Sequence, residues 1–321
     1  MSNQSRSTIL MSVLAVAFSV LSAFLGEPFI PFASALVAAI WVTDRSPKHV
    51  ASILVSALVL LLNGLVGGPV SVIGLEILLI AAVITFAYTR KRSKSEAALI
   101  LTVLVAVCTV ISLIFGAMNT TEVYTLESVE TFYTRMIDDM RAGFTEMVET
   151  YISALPGKSG EVVLSTEDIN EVFDTMLGSI VGVIVVIAFA IAGFSLKIFN
   201  SIMRRLTPED EFAANWRFST PPAYAYFYFA LYLLSIFLRG NGALALTVIN
   251  LSTVFMAVYA YVGFDGIVSI ASQKFGRAKT LAVALVALLF FSTFALQLLA
   301  LFGAYATIAT AKLGVGRGDG R

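Results

Sequence analysis

Glu76 stands in the stretch GGPVSVIGLEILLIAA, Gly67 to Ala82, where almost every neighbour is apolar. An unpaired carboxylate inside a bilayer costs at least ~2.5 kcal/mol, so this one must be protonated, paired or turned toward a wet cavity. Four further residues bear on that choice. Asn63 precedes Glu76 across the hairpin GLVGGP, and Glu27 sits in the turn GEPFIP. Arg239 follows the aromatic run AYAYFYFALYLLSIF, which contains Tyr232. Two arrangements fit these residue types. In one, Glu76 and Arg239 are the charged contacts of a ligand pocket, with Asn63 and Glu27 as polar ones and Tyr232 on an aromatic wall. In the other, Glu76 is structural, protonated or bonded to a backbone carbonyl between helices. The aromatic run likewise reads as a wall for a flat ligand or as ordinary helix packing.

Other chemistries find no residues to carry them. His49 and Cys108 are the one histidine and the one cysteine of the chain, which excludes an internal disulfide and a His- and Cys-built zinc site. No Gly-x-Ser-x-Gly elbow occurs, and no acid pair is placed for general acid–base work. GRAKT, Gly276 to Thr280, lacks the first glycine and the preceding strand of a phosphate loop. No enzyme activity, metal or cofactor is therefore expected. The formal net charge of zero gives no footprint for nucleic acid. Asp265, in GFDG, is expected to pair with Lys274 or Arg277, to cap a helix after a glycine break, or to couple to protons.

The elements that must position these groups are membrane helices. The chain has 321 residues, 58% hydrophobic and 13% charged, and its mean hydropathy is +0.90. Soluble domains carry about a quarter charged residues, so the class is an all-α, polytopic membrane protein. Runs long enough to cross lie at 8–25, 29–43, 49–66, 69–88, 97–116, 173–196, 222–238, 243–263 and 280–302. That makes about nine transmembrane helices, or eight if the second, which follows GEPFIP, is re-entrant. The first is read as an uncleaved span rather than a signal peptide. With the N-terminus cytoplasmic, seven of the 21 basic residues (Arg135, Arg141, Lys158, Arg239, Lys312, Arg317 and Arg321) fall outside. The remainder lie inside, led by RKRSK, Arg90 to Lys94, as the positive-inside rule asks. Trp41 and Trp216 then sit near the inner interface, and Glu76, Asn63, Glu27 and Arg239 share the outer half.

The expected units are a five-span bundle over 1–116, an acidic extracytoplasmic segment over 117–172, a four-span bundle over 173–311 and a tail over 312–321. The acidic segment carries eleven acids and three bases. Its apolar residues recur at intervals of three and four from Leu126 to Leu155, which predicts one long amphipathic helix. PGKSG breaks it, and STED, Ser165 to Asp168, starts the helix leading into the sixth span. The helix acts as a lid on the spans or as a docking surface for a partner. KIFNSIMRRLTPEDEFAANWRFSTPP, Lys197 to Pro222, is expected to lie along the inner membrane surface. Ala15, Ser19 and Ala23, four apart on the first span, form a small-residue ladder that lets another helix approach closely.

Three stretches carry a resemblance: PFIPFASALVAAIWVTDRSPKHVASILVSALVLLLNGLVGGP, RRLTPEDEFAANWRF and YVGFDGIVSIASQKFG. With them the chain resembles the YybS-like family of bacterial membrane proteins, which has no established biochemical function, over nearly its whole length. The N-terminal half of that family is similar in layout to the substrate-binding membrane subunits of energy-coupling-factor transporters. The resemblance implies a bacterial plasma-membrane protein, an outward-opening pocket, and small residues on the first helix that dock a separate membrane or ATPase subunit. The function expected is therefore a transporter-like or small-molecule-binding subunit in the lipid bilayer. The alternative is a non-catalytic assembly scaffold that recruits partners through the outer helix. The topology makes a first prediction. Cysteines placed at Ser93 and Ser159 are labelled by an impermeant thiol reagent from opposite sides of the membrane, and labelling from one side overturns the span count between them.

Overall fold

The computed structural model describes residues 3–44, 49–67, 72–153, 166–238, 242–276 and 295–311. Every regular element among them is a helix. In chain order these are α1 (Asn3–Leu25), α2 (Ile30–Thr43), α3 (Val50–Gly67), α4 (Ile73–Thr89), α5 (Lys94–Thr121) and α6 (Leu126–Ser153). They continue as α7 (Thr166–Gly178), α8 (Ile180–Leu206), α9 (Glu211–Asn215), α10 (Pro222–Phe237), α11 (Ala243–Phe275) and α12 (Ala295–Ala311). Within α1, α5, α8 and α11 lie apolar stretches long enough to cross a bilayer, and five shorter helices are also apolar. The all-helical polytopic class follows. The span expected over 280–302 lies outside the described residues as far as 294, and its described part continues to Ala311.

The short second segment is the centre of the larger cluster. α2 has 14 residues, about 21 Å at 1.5 Å per residue, which is less than a hydrocarbon core of about 30 Å. From Ile30 to Ile40 all its residues but Phe32 are buried, because α1, α3, α4 and α8 surround it. A helix apolar all round fits that place and no face of it needs lipid. Ala33, Ala35, Ala38 and Ala39 let the neighbours approach closely. Ser34 donates to its own Ile30 carbonyl at 2.8 Å and meets Ser195 Oγ of α8 at 3.3 Å. The chain enters α2 by a tight turn. Gly26 takes φ +85°, its N–H bonds the Ser22 carbonyl at 2.9 Å, and one 3-10 turn (Glu27–Phe29) leads to Pro31. Glycine adopts that φ without strain and so ends α1 sharply.

α8 lies against α2 and α5 on one flank and α11 on another. Against α11 it runs parallel and in constant register. Gly178 meets Leu246, Gly182 meets Asn250, Gly193 meets Tyr261 and Lys197 meets Asp265, every pair 68 residues apart in sequence. The contact begins where α7 breaks into α8 at Ser179. Asn250 bridges that break, donating to the Gly178 carbonyl and accepting from the Gly182 N–H, both at 2.8 Å. One amide thus serves backbone groups that lipid cannot satisfy. The contact ends in the 2.8 Å ion pair Lys197–Asp265. Asp265 thus pairs with Lys197 on the neighbouring helix; of its expected partners, Arg277 and the side chain of Lys274 lie outside the described residues, and α11 continues unbroken through GFDG to Phe275.

A second, smaller cluster joins α10, α11 and α12 around Tyr228, Tyr259, Ala260, Ala300 and Ala304. Its closest point is a crossing of two glycines. A Cβ on Gly263 would stand 2.0 Å from the Leu299 carbonyl oxygen, and one on Gly303 would stand 2.1 Å from that of Tyr259. Membrane helices gain mainly from such close packing, since lipid gives them no hydrophobic drive to associate. Gly263→Ala is therefore expected to cost about 1–3 kcal/mol by forcing the helices apart. Gly116→Ala in α5, where a Cβ meets nothing within 4 Å, is expected to be neutral or slightly stabilising. Paired unfolding curves in one detergent check both.

Candidate functional site

Helix alternation puts the end of α1, the starts of α2 and α4 and the end of α5 at one end of the bundle, here called the acidic end. Glu76 stands in the first turn of α4 and is 4% exposed. Its charge interacts with Glu27, which is exposed on the 3-10 turn, and with Cys108 of α5. Among the described residues no hydrogen bond or ion pair reaches its side chain. A carboxylate is thus buried below an exposed one, beside the break that begins the central helix.

Asn63 lies nearby but on another face. It is 1% exposed, and its Nδ2 donates to Ser19 Oγ of α1 and, at 2.8 Å, to the Val59 carbonyl. It packs on α4 at Gly74, where a Cβ would meet its own Cβ at 3.0 Å. Positions 74 and 76 are about 160° apart around a helix. Asn63 and Glu76 therefore occupy opposite edges of α4, at similar depth and without mutual contact. Among the described residues Asn63 Oδ1 has no hydrogen-bond partner. Of the first-span ladder, Ala15 and Ser19 are fully buried inside this cluster and Ala23 is half-buried, while Val13, Phe24 and Leu25 face outward. Tyr232 belongs to the smaller cluster, with its ring 6.2 Å from that of Tyr228. Arg239 lies outside the described residues.

A different concavity was not anticipated. An open groove of ≈ 760 Å³ runs along the α5–α6 turn, lined by Val123, Phe132, Met136 and Met140 with Glu127, Arg135 and Asp139 among them. α6 rests on the end of α5, where the Tyr133 hydroxyl donates to the Leu113 carbonyl at 2.9 Å. Its far end rests on α7 through Phe144 and Phe173 and through Arg141, which binds Asp174 at 3.0 Å. From Leu126 to Thr150 no residue of α6 is fully buried, and Met136, Met140, Phe144 and Met147 are exposed. The periodicity that revealed the helix thus marks a face only half covered.

The opposite, basic end is closed by the segment containing RRLTPEDEFAANWRF. It folds back onto the helix ends. Tyr88 of α4 donates its hydroxyl to Asp210, whose other oxygen accepts the Phe212 N–H at 3.0 Å and so caps α9. Trp216 is buried. Its indole N–H donates to the Arg92 carbonyl at 2.8 Å, and its own carbonyl accepts from Asn200 at 3.3 Å. Tyr88, Phe199, Phe212 and Trp216 stack edge to face or tilted at 5.2–6.0 Å. This motif is a plug, which explains its density of aromatics and caps without any ligand.

Apolar helices with exposed apolar flanks, whose buried polar groups mostly bond back to their own backbone or to a neighbouring helix, define an integral membrane protein with the bilayer as its solvent. The chain belongs to the family described as predicted membrane protein (DUF2232), whose model matches residues 7–305. No curated protein and no solved structure matches it.

The plug makes a pH prediction. The hydrogen bond from Tyr88 holds the Asp210 carboxyl below its ordinary value of 3.8. A lowered folded value means the bond's contribution is full above the ordinary value and is lost as pH falls through the lower one. Tyr88→Phe is expected to cost about 1 kcal/mol at neutral pH. Its unfolding curve converges with that of the parent in acid, once the pH lies below the lowered value.

Proposed function

We propose that the protein is a small-molecule-binding, transporter-like membrane subunit, and that its site opens to the outside at the acidic end. The observation that carries this reading is Glu76, a carboxylate nearly out of contact with solvent and without a described partner, near the Gly–Pro turn that leads into a short central helix. Intramembrane carboxylates are costly and mark ligand, ion or proton positions by default. Helix ends wrapped by other helices within the bundle are where transporters place such positions. With Glu27 above it, the pair presents negative charge, so the ligand class is one that brings a positive charge or donors, such as an organic amine. The chain acts as a binding protein without chemistry of its own. Its work in a bacterial plasma membrane, with the N-terminus in the cytoplasm and 117–172 outside, draws energy from another subunit if it moves its ligand. The likeness in layout to energy-coupling-factor substrate subunits is part of this proposal.

A second reading has its own observation. The half-covered face of α6 and the groove beside it suit an assembly protein that recruits a partner from outside. Under this reading Glu76 is merely tolerated.

One experiment separates the two. Thermal unfolding of the purified chain is followed against a panel of organic amines and vitamins, with matched anions as controls, for the parent and for Glu76→Gln. The substitution by itself is expected to stabilise the resting protein, by about 2 kcal/mol, because a buried acid is relieved. A cation that raises the parent's midpoint and leaves the variant unmoved supports the ligand site. Failure of every compound on the parent, or an equal response in the variant, sinks it.

A further inference from the structure

α6 leaves an apolar stripe uncovered, and its own anchor shows which way that stripe points. α5 has 28 residues, about 42 Å at 1.5 Å per residue, so it outruns a hydrocarbon core of about 30 Å. The basic stretch RKRSK fixes its lower limit, and Leu113 falls in the last turn of its apolar run 97–116. Leu113 is exposed, as are Val103, Val107 and Val110 before it, and these side chains meet lipid. The Tyr133 hydroxyl reaches back from α6 to the Leu113 carbonyl at 2.9 Å. Eight positions further on, Arg141 binds Asp174 of α7, ahead of the start of α8. α6 therefore crosses between two helix ends at the edge of the bilayer, and the side that carries Tyr133 is turned toward the hydrocarbon.

The exposed stripe lies on that same side. At about 100° per residue, Met140 and Phe144 stand within about 20° of Tyr133, Met147 within about 40° and Met136 within about 60°. Five of the six acids of α6 stand about 120° or more away, and Glu130 near its start is the exception. Apolar side chains aimed at the bilayer from its edge, with acids on the far side, describe a helix lying in the interface. Six acids against two bases repel an anionic leaflet. The groove beside the stripe joins Arg135, Glu127 and Asp139 to the apolar Phe132, Met136 and Met140. One cation and two carboxylates beside an apolar wall suit a headgroup that carries a phosphate and an ammonium together. We propose that α6 lies in the leaflet at the acidic end and is covered there by zwitterionic phospholipid. Acyl chains cover Met136, Met140, Phe144 and Met147, in continuity with the lipid-facing surface of α5. A headgroup in the groove sets its phosphate at Arg135 and its ammonium at Asp139 and Glu127. This inference does not rest on Glu76, and it gives the face of α6 to lipid where the second reading gives it to a partner protein.

The test uses the full chain with Cys108→Ala as background, reconstituted in vesicles of dioleoylphosphatidylcholine. A fluorophore is attached at Met140→Cys and, on the far side of α6, at Asp138→Cys. It is quenched by phosphatidylcholine with a nitroxide high on its acyl chain, or by aqueous acrylamide. Nitroxide quenching is expected to be at least about threefold stronger at 140 than at 138, with the order reversed for acrylamide. Nitroxide-labelled phosphatidylglycerol at the same mole fraction is expected to quench 140 about half as well. Equal nitroxide quenching at the two sites, or acrylamide reaching 140 as it reaches 138, overturns the proposal. A fluorophore at 140 that neither agent reaches is covered by protein, a second copy included, and overturns it as well. Phosphatidylglycerol quenching 140 as strongly as phosphatidylcholine overturns the headgroup assignment. Should Met140→Cys fail to fold, Met147→Cys decides by the same criteria, with Glu149→Cys as its opposite.

Discussion

A helix too short to cross a bilayer and apolar on every side must be covered by protein, and α2 is such a helix. Most of the architecture follows from covering it. α1, α3 and α4 surround it in sequence order, and α8 arrives from beyond the acidic segment to close the remaining side. Small residues along α2 set how near these neighbours come, and Ser34 settles its hydroxyl against its own backbone and Ser195. Because α8 also runs in register with α11, the same helix ties the smaller cluster to the larger one. The glycines that face Leu246, Asn250 and Tyr261 are the means of that attachment.

Polar groups are then pushed to the two ends. Within the apolar middle the described hydroxyls mostly bond back to the preceding turn, as Thr102 does to Ala98 and Ser195 to Ile191. The acidic end keeps a buried carboxylate. It stands apart from the rest because lipid-facing economy does not explain it. The aromatic plug, in contrast, is fully accounted for by stacking and capping.

Depth in the membrane was legible in the sequence, and direction around a helix was not. The hairpin brings Asn63 against α4 at Gly74, yet Gly74 and Glu76 point about 160° apart, which separates Asn63 from Glu76. α6 was legible because its stripe alternates against charged residues, and the structure gives Leu126–Ser153 where the periodicity ran from Leu126. α2 was the obscure one: with no polar face it carries no periodicity, so nothing in its composition tells a central helix from a peripheral or re-entrant one. The pair of Asp265 with Lys197 was not legible, because local spacing is all that a sequence shows and this partner is 68 residues away on α8. The contacts of the plug with Tyr88 and Arg92 were not legible, since its alternation of charges and aromatics does not say which helix ends it packs on.

The place of α8 in the order of synthesis has a consequence for biogenesis. The three helices that enclose α2 on all but one flank, α1, α3 and α4, emerge from the ribosome before α8, and the chain between Thr121 and Leu206 must follow before that flank is covered. At common rates of elongation this interval lasts on the order of ten seconds. Throughout it the central helix shows Ser34 and its alanines to lipid, or to whatever insertion factor holds the unfinished bundle. A nascent chain stalled in the acidic segment is thus an open vessel rather than a smaller finished one, and quality control can recognise it by that uncovered seam.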